Sequence, residues 1–258
     1  MQVKEIQCKS LLNKSGIPGC DYAINPYMGC MNGCIYCYAT FMRKFSEEEM
    51  EWGSFVHVKA NAIEVLRKEL KKRKPGEIML SSVTDPYQAI EAKYMLTRKI
   101  LELLAKKNFP LSILTKNKLV LRDIDLLKKL DSIEVGLTIT GLDEINQRKF
   151  EPLTSPHSER IKALRKLHEA GIKNYAFIGP ILPNFTDLKK VFSDLKGIVD
   201  YAFVDKLNLY YWVKMLMQKK LSEEDFRKIL VSESYWNETR KEIIGLAREN
   251  GIKLKLLF

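Results

Sequence analysis

Along most of the chain, short apolar runs alternate with stretches of helical period. Compact hydrophobic runs at Asp21–Asn25, Glu77–Ser82, Leu111–Thr115, Ile133–Thr140, Tyr175–Ile178 and Tyr201–Leu207 predict six strands. Between them, Tyr36–Phe45, Val56–Lys74, Lys93–Lys107, Leu119–Leu130, Ser158–Ala170 and Asp187–Lys196 predict helices. Ile63, Leu66 and Leu70 share one face of the Val56–Lys74 stretch, and Gly171 ends the helix before it. Alternation of this kind means β/α units and a parallel sheet. Met1–Gly19 reads as an irregular lead-in, with Gly16, Pro18 and Gly19 marking turns. Tyr210–Phe258 predicts two or three helices and a last strand at Lys253–Leu257. The expected division is a lead-in over 1–20, an α/β barrel-like array over 21–210, and a C-terminal helical extension over 211–258 packed on it.

Composition narrows this picture. A chain of 258 residues, 46% of them hydrophobic, can bury the core of one barrel-like domain or two small ones. No apolar run approaches the ~20 residues that a membrane helix needs. Met1–Ser10 has no apolar signal core, so the expectation is a soluble, cytoplasmic protein. The net charge of +11 suits nucleic acid or another anionic partner. A Lys/Glu-rich surface is also what a thermophile carries. The densest basic run, Lys71–Lys74, stands before Pro75-Gly76 and reads as a helix end.

The chemistry concentrates in Asn25–Ala39, N-P-Y-M-G-C-M-N-G-C-I-Y-C-Y-A. Cys30, Cys34 and Cys37 stand there in the spacing C-x3-C-x2-C. Thiolates are soft ligands that suit iron–sulfur clusters and zinc. Three of them on one short loop can hold three corners of a cubane and leave the fourth iron open to a small molecule. Gly29 and Gly33 permit positive φ and a close approach of the backbone. A structural zinc site is the bland alternative, with Cys8, Cys20 or His57 as fourth ligand. Zinc ligands usually come as paired C-x2-C, a spacing that only Cys34 and Cys37 have. A disulfide framework fits poorly in a chain that can build its own core. Polar residues close the expected strands: Ser81 to Gln88, Thr115-Lys116, and Thr138 with Thr140. Turn and cap chemistry covers most of them singly; beside a metal motif they form a candidate set.

The loop resembles the signature of the radical S-adenosylmethionine (SAM) superfamily. N-P-Y-x-G-C and Y-C-Y-A look like its spore photoproduct lyase-like (DNA repair photolyase-like) branch. T-D-P-Y-Q (84–88), L-T-K-N (114–117), the T-I-T-x-L-D stretch before Glu144, F-E-P-L-T-S-P-H-S-E-R-I (150–161) and G-P-I-L-P (179–183) continue that likeness in order. The resemblance implies a partial (β/α)6 TIM barrel whose chemistry gathers at the C-terminal strand ends. It implies a [4Fe-4S] cluster held by Cys30, Cys34 and Cys37, with SAM at the open iron. Lys116 would bind the SAM carboxylate, Thr138 would give a hydroxyl contact, and Tyr36 would lie near the adenine. Pro180 and Ile181 would wall the adenosine pocket, and Glu151 with Arg160 would pair to hold a loop over the barrel mouth. Tyr38, Ser82 and Asp85 become the candidate catalytic positions.

The implied reaction is reductive cleavage of SAM to a 5′-deoxyadenosyl radical that takes hydrogen from a substrate. The substrate is unidentified, with nucleic acid one class and a peptide or small molecule another. An electron donor such as ferredoxin or flavodoxin is also implied. A non-catalytic iron–sulfur or zinc protein that binds nucleic acid is the reading from a different class. Spore photoproduct lyase itself has a cysteine in the loop after strand two that returns hydrogen to the repaired thymine. Ser82 aligns with it here, and a serine O–H bond is too strong for that task. Tyr36 and Tyr38 match the two tyrosines of its relay, so the expectation is a related enzyme without that repair. Tyr210, Tyr211 and Trp212 read first as core, and second as a platform for a base near the barrel mouth.

Overall fold

The computed structural model describes residues 1–45, 50–107 and 109–258. Strands β1 (Gln2–Ile6), β2 (Leu12–Lys14), β3 (Tyr22–Ile24), β4 (Tyr27–Met28) and β5 (Phe55–Lys59) come first, followed by helix α1 (Ala62–Glu69). The central part holds β6 (Ile78–Leu80), α2 (Glu91–Tyr94), α3 (Leu96–Leu104), β7 (Leu111–Thr115), α4 (Ile124–Leu127) and β8 (Ile133–Ile139). Next come α5 (Glu144–Phe150), α6 (His157–Glu169), β9 (Asn174–Ile181), α7 (Leu188–Leu195) and β10 (Tyr201–Lys206). The chain closes with α8 (Tyr211–Lys220), α9 (Glu223–Lys228), α10 (Glu233–Glu249) and β11 (Leu254–Leu256).

The six expected strands are β3, β6, β7, β8, β9 and β10, paired side by side and all parallel. Strand β11 extends this set in parallel beyond β10, and β2 adds an antiparallel edge beyond β3, which makes eight strands. Strands covered on both faces read as continuous apolar runs. In β8, for example, Val135 to Ile139 are all buried. This is the α/β architecture of a partial (β/α)6 barrel, with the last helices as a C-terminal extension. Because the six strands run the same way, Asn25, Ser81, Lys116, Thr140 and Leu182 all emerge at one rim. A second sheet, β1-β5-β4, takes β4 and β5 from the first crossover, between β3 and β6, and its β4 leads directly into the cysteine loop.

Several local expectations are corrected. The lead-in is not wholly irregular: it contains β1 and β2. β1 is a short edge strand with a largely exposed, charged sequence, which leaves a weak apolar signal. The stretch over Val56–Lys74 is a strand before it is a helix. The alternating Phe55-Val56-His57-Val58 is buried and pairs with β1 on one side and β4 on the other. Lys93–Lys107 is broken at Met95, whose φ of 54° lies in the left-handed region. In Tyr36–Phe45 only Tyr38–Phe45 winds, as a 3-10 helix, and Leu119–Leu130 divides into a 3-10 helix at Lys118–Asp123 and α4. α5 was not anticipated; Asp143 caps it by accepting from the Asn146 amide at 2.8 Å. The aromatic triplet does not enter the core: Tyr210 is 49% exposed, Tyr211 76% and Trp212 38%. Among the described residues, no helix is long and apolar enough to cross a membrane.

One polar network stands in the interior between β4 and the second crossover. Glu91 and Asp123 are fully buried. Glu91 accepts from the Tyr27 hydroxyl, from the Thr97 amide at 3.0 Å and from Arg122 Nη2 at 2.7 Å. Arg122 and Arg98 both reach Asp123, at 2.8 and 2.9 Å. Removing Glu91 leaves the Tyr27 hydroxyl and the Thr97 amide without their acceptor in the interior and takes one partner from Arg122. Glu91→Ala is expected to lose about 3–5 kcal/mol in urea unfolding. A loss below about 1 kcal/mol would contradict a structural role for the network.

Candidate active site

The cysteine loop is shaped by backbone first. Gly29 has φ 85° and Gly33 φ 61°, as a tight thiolate loop requires. A Cβ at Gly29 would also come within 2.5 Å of the Phe55 carbonyl oxygen. Cys30 and Cys34 are buried, and Cys37 is partly buried. Side chains from the segment after β6 fasten the loop. Thr84 Oγ1 donates to the Gly29 carbonyl at 2.6 Å, and Gln88 Oε1 accepts from the Met31 amide at 2.7 Å. Asn32 Nδ2 donates to Asp85 Oδ2 at 2.8 Å.

The three cysteines line one cavity of about 120 Å³ together with Tyr38, Ser82, Asp85, Lys116 and Thr138. The predicted residues of four separate segments therefore meet in one place. Lys116 is half-buried, and its Nζ lies 5.7 Å from the centre of the Tyr36 ring. Among the described residues it has no carboxylate within ion-pair distance. Burial disfavours its ammonium, but the anionic forms of Cys34, Glu151 and Cys37 outweigh this and raise its pKa. Burial pushes all three thiols up as well. Asp85 adds to the shift at Cys30, whereas Lys116 opposes it at Cys34 and Cys37.

Asp85, one of the candidate catalytic positions, is held by four donors. Its Oδ1 accepts from Thr115 Oγ1 at 2.6 Å and from the Tyr87 amide at 2.9 Å. Its Oδ2 accepts from Asn32 Nδ2 at 2.8 Å and from the Lys116 amide at 2.9 Å. With four donors in place, the carboxylate braces the cysteine loop against the end of β7. Ser82 Oγ accepts from Asn25 Nδ2 at 3.1 Å, and the Tyr38 hydroxyl donates to the Ser82 carbonyl.

Behind the cavity, Glu151 and Arg160 form the expected pair, with both side chains almost wholly buried. The second carboxylate oxygen of Glu151 accepts from the Tyr36 hydroxyl. Arg160 also donates to the Ser155 carbonyl at 2.7 Å and to the Thr138 carbonyl at 3.0 Å. The pair thus ties the loop after α5 to β8 and, through Tyr36, to the cysteine loop. None of these three side chains lines the cavity. Pro180 and Ile181 do not line it either; Ile181 borders a separate cavity of about 640 Å³ with Phe185 and Tyr235.

Residues 24–195 match the Radical SAM superfamily. The chain belongs to that superfamily. An uncharacterized protein of Methanocaldococcus jannaschii is 37% identical over 255 residues, which is 99% of this chain and 96% of that protein. An uncharacterized protein of Mycobacterium tuberculosis is 31% identical over 77% of this chain and 61% of its own length. Among solved structures, spore photoproduct lyase complexed with dinucleoside spore photoproduct aligns at TM-score 0.70 and 15% identity, over 99% of this chain and 82% of that one. Streptococcus suis SuiB bound to SAM aligns at 0.58 and 15% identity, over 92% of this chain and 50% of that one. The protein is therefore a radical SAM enzyme that uses a 4Fe-4S cluster and SAM.

The residues present fit those groups. Ser81 Oγ and Trp52 Nε1 are buried in the cavity wall without a hydrogen-bond partner, as in a site that receives a bound molecule. Ser81 has φ 71°, a strained conformation for a serine. Among the described residues, no three His, Cys, Asp or Glu side chains converge on a point for one ion. A 4Fe-4S cluster does not require that, since each thiolate binds a different iron. Coordination would also reverse the upward shift of the thiols. Asn32 and Trp52 were missed by sequence reasoning, and Ser81 and Gln88 were noted only as part of a polar strand end. Asn32 and Gln88 lie inside motifs already noted, but nothing in a string of letters says that they hydrogen-bond each other's loops.

Burial alone would raise the Glu151 pKa; the charges of Arg160 and Lys116 and the hydrogen bonds from Arg160 and Tyr36 outweigh it and lower it. A depressed folded pKa contributes stability above the ordinary glutamate value, about 4.3, and loses it as pH falls through the folded value. Glu151→Gln in the cluster-free protein is expected to be less stable at pH 7. Its stability should also fall less steeply than wild type below about pH 4. Parallel acid limbs in the two proteins would contradict this assignment.

Proposed function

We propose that this radical SAM enzyme abstracts hydrogen from a nucleic-acid substrate, with Cys30, Cys34 and Cys37 as the cluster ligands. The observation that carries the site assignment is the Lys116 ammonium, without a carboxylate partner among the described residues, in the same cavity as the three thiols. It is a point charge suited to the SAM carboxylate. When bound, the cluster supplies one electron for cleavage of the SAM C5′–S bond. The chain's own residues do the positioning. Asp85 fixes the backbone of Lys116 relative to the cysteine loop. Thr138 offers a hydroxyl at the cavity wall, and Tyr36 and Arg160 hold the loop and β8 through Glu151. Met79, Val83, Leu114 and Trp52 give the apolar wall that excludes water. Tyr38 and Ser82 line the same cavity. Ser82 has no weak X–H bond to donate, which separates this reaction from thymine-lesion repair by a cysteine relay.

The substrate class rests on the +11 charge and on the exposed rings beside the cavity. A second reading, a small-molecule or peptide substrate, is favoured by the small size of the cysteine cavity, about 120 Å³.

Anaerobic reconstitution with iron and sulfide, followed by SAM and dithionite, tests the chemistry. The wild type should release 5′-deoxyadenosine, and single-stranded nucleic acid should speed it more than peptide or metabolite pools. Cys34→Ala should release none. Zinc in the purified protein with no iron uptake would overturn the reading. Lys116→Met, which keeps the amide that Asp85 accepts from, should weaken SAM binding about tenfold or more, about 1.4 kcal/mol. Unchanged SAM affinity would remove Lys116 from the site. The dinucleoside spore photoproduct should give no efficient release of TpT; clean conversion would sink the Ser82 argument.

A further inference from the structure

The rings that sequence reasoning assigned to the core form an exposed shelf next to the cysteine cavity. Tyr210 and Trp212 stack in parallel, 5.5 Å apart at 10°. Phe41 packs edge-on against Trp212 at 6.4 Å. Trp212 Nε1 donates to the Tyr38 carbonyl at 3.0 Å, and Tyr38 itself lines the cavity while 48% exposed. The shelf is therefore one residue away from the cysteines. It continues along α8, where Tyr211, Lys214, Met215 and Gln218 are all exposed at the spacing of one helix face. Large rings left in water at one mouth are unusual in a monomer and mark a binding surface.

We propose that this shelf is a stacking platform for unpaired nucleobases, which holds a single strand while a neighbouring nucleotide is presented at the cavity mouth. This rests on the nucleic-acid reading above and deepens it. A cavity of about 120 Å³ cannot enclose a polymer, so a polymeric substrate needs a grip outside it. Flat aromatic faces provide that grip for any base. The +11 charge complements a phosphate backbone. An exposed protein surface of the same size built for an acidic protein partner would not need its rings stacked flat and open.

The test is fluorescence anisotropy of the full chain with labelled 15-residue oligo(dT), oligo(rU) and a DNA duplex. Tryptophan emission serves as a second readout, with Trp212→Phe marking the share of Trp212 among the three tryptophans. The wild type should bind single strands more tightly than duplex and lose affinity between 50 and 200 mM salt. Its tryptophan emission should be quenched on binding. Tighter binding of either single strand supports the platform and identifies DNA or RNA as its source. Tyr210→Ala/Tyr211→Ala, at exposed positions, should keep the wild-type melting temperature and bind single strands about tenfold or more weaker. Ile145→Ala, 77% exposed on α5, should bind like the wild type. Single-strand affinity unchanged in the tyrosine variant overturns the platform and leaves the nucleic-acid reading standing. No binding of any probe by the wild type overturns both. Self-association that Tyr211→Ala abolishes, without oligonucleotide binding, would make the shelf an interface between copies of this chain.

Discussion

Asp85 accepts hydrogen bonds from Thr115, Tyr87, Asn32 and the Lys116 amide, and so joins three segments that are far apart in sequence. A carboxylate with four donors cannot shift without leaving one of them unpaired in the interior. That constraint fixes the distance between the loop that carries the thiols and the strand end that carries the ammonium. The same logic repeats one layer deeper. Glu151 binds Arg160 and Tyr36, and Glu91 binds Arg122, Tyr27 and the start of α3. Three buried glutamate or aspartate side chains thus set the frame, and one of them, Asp85, also lines the cavity.

The parallel sheet makes this possible. Strands that run the same way deliver their C-terminal ends to one rim, and polar residues there meet whatever the first loop carries. The cysteine loop lies between β4 and β5, so it reaches the rim from a second small sheet rather than from the barrel strands alone. Gly29 is the tightest point of that approach, under the Phe55 carbonyl.

Much of this could be read from the chain. The six parallel strands were visible because each is a short apolar run bounded by turns. The thiols, Lys116 and Thr138 were visible because spacing and motif order locate strand ends. What could not be read depends on partners distant in sequence. Phe55–Lys59 is a strand because β1 and β4 flank it, although its own residues run on into helix α1. Asp85 entered as a candidate catalytic position through the resemblance; only the positions of Asn32 and Thr115 reveal that its lone pairs are taken. Tyr210, Tyr211 and Trp212 looked like core by composition, but they sit at the start of α8, beyond the last barrel strand, where they stay largely exposed.

The central claim is that three thiolates leave one metal position open to SAM beside Lys116. Mössbauer spectroscopy of protein reconstituted with iron-57 addresses it most directly. Four irons should bind per chain, and addition of SAM should change the signal of one of them while three stay the same. A spectrum in which SAM leaves all four unchanged would contradict the account, as would a chain that takes up no iron.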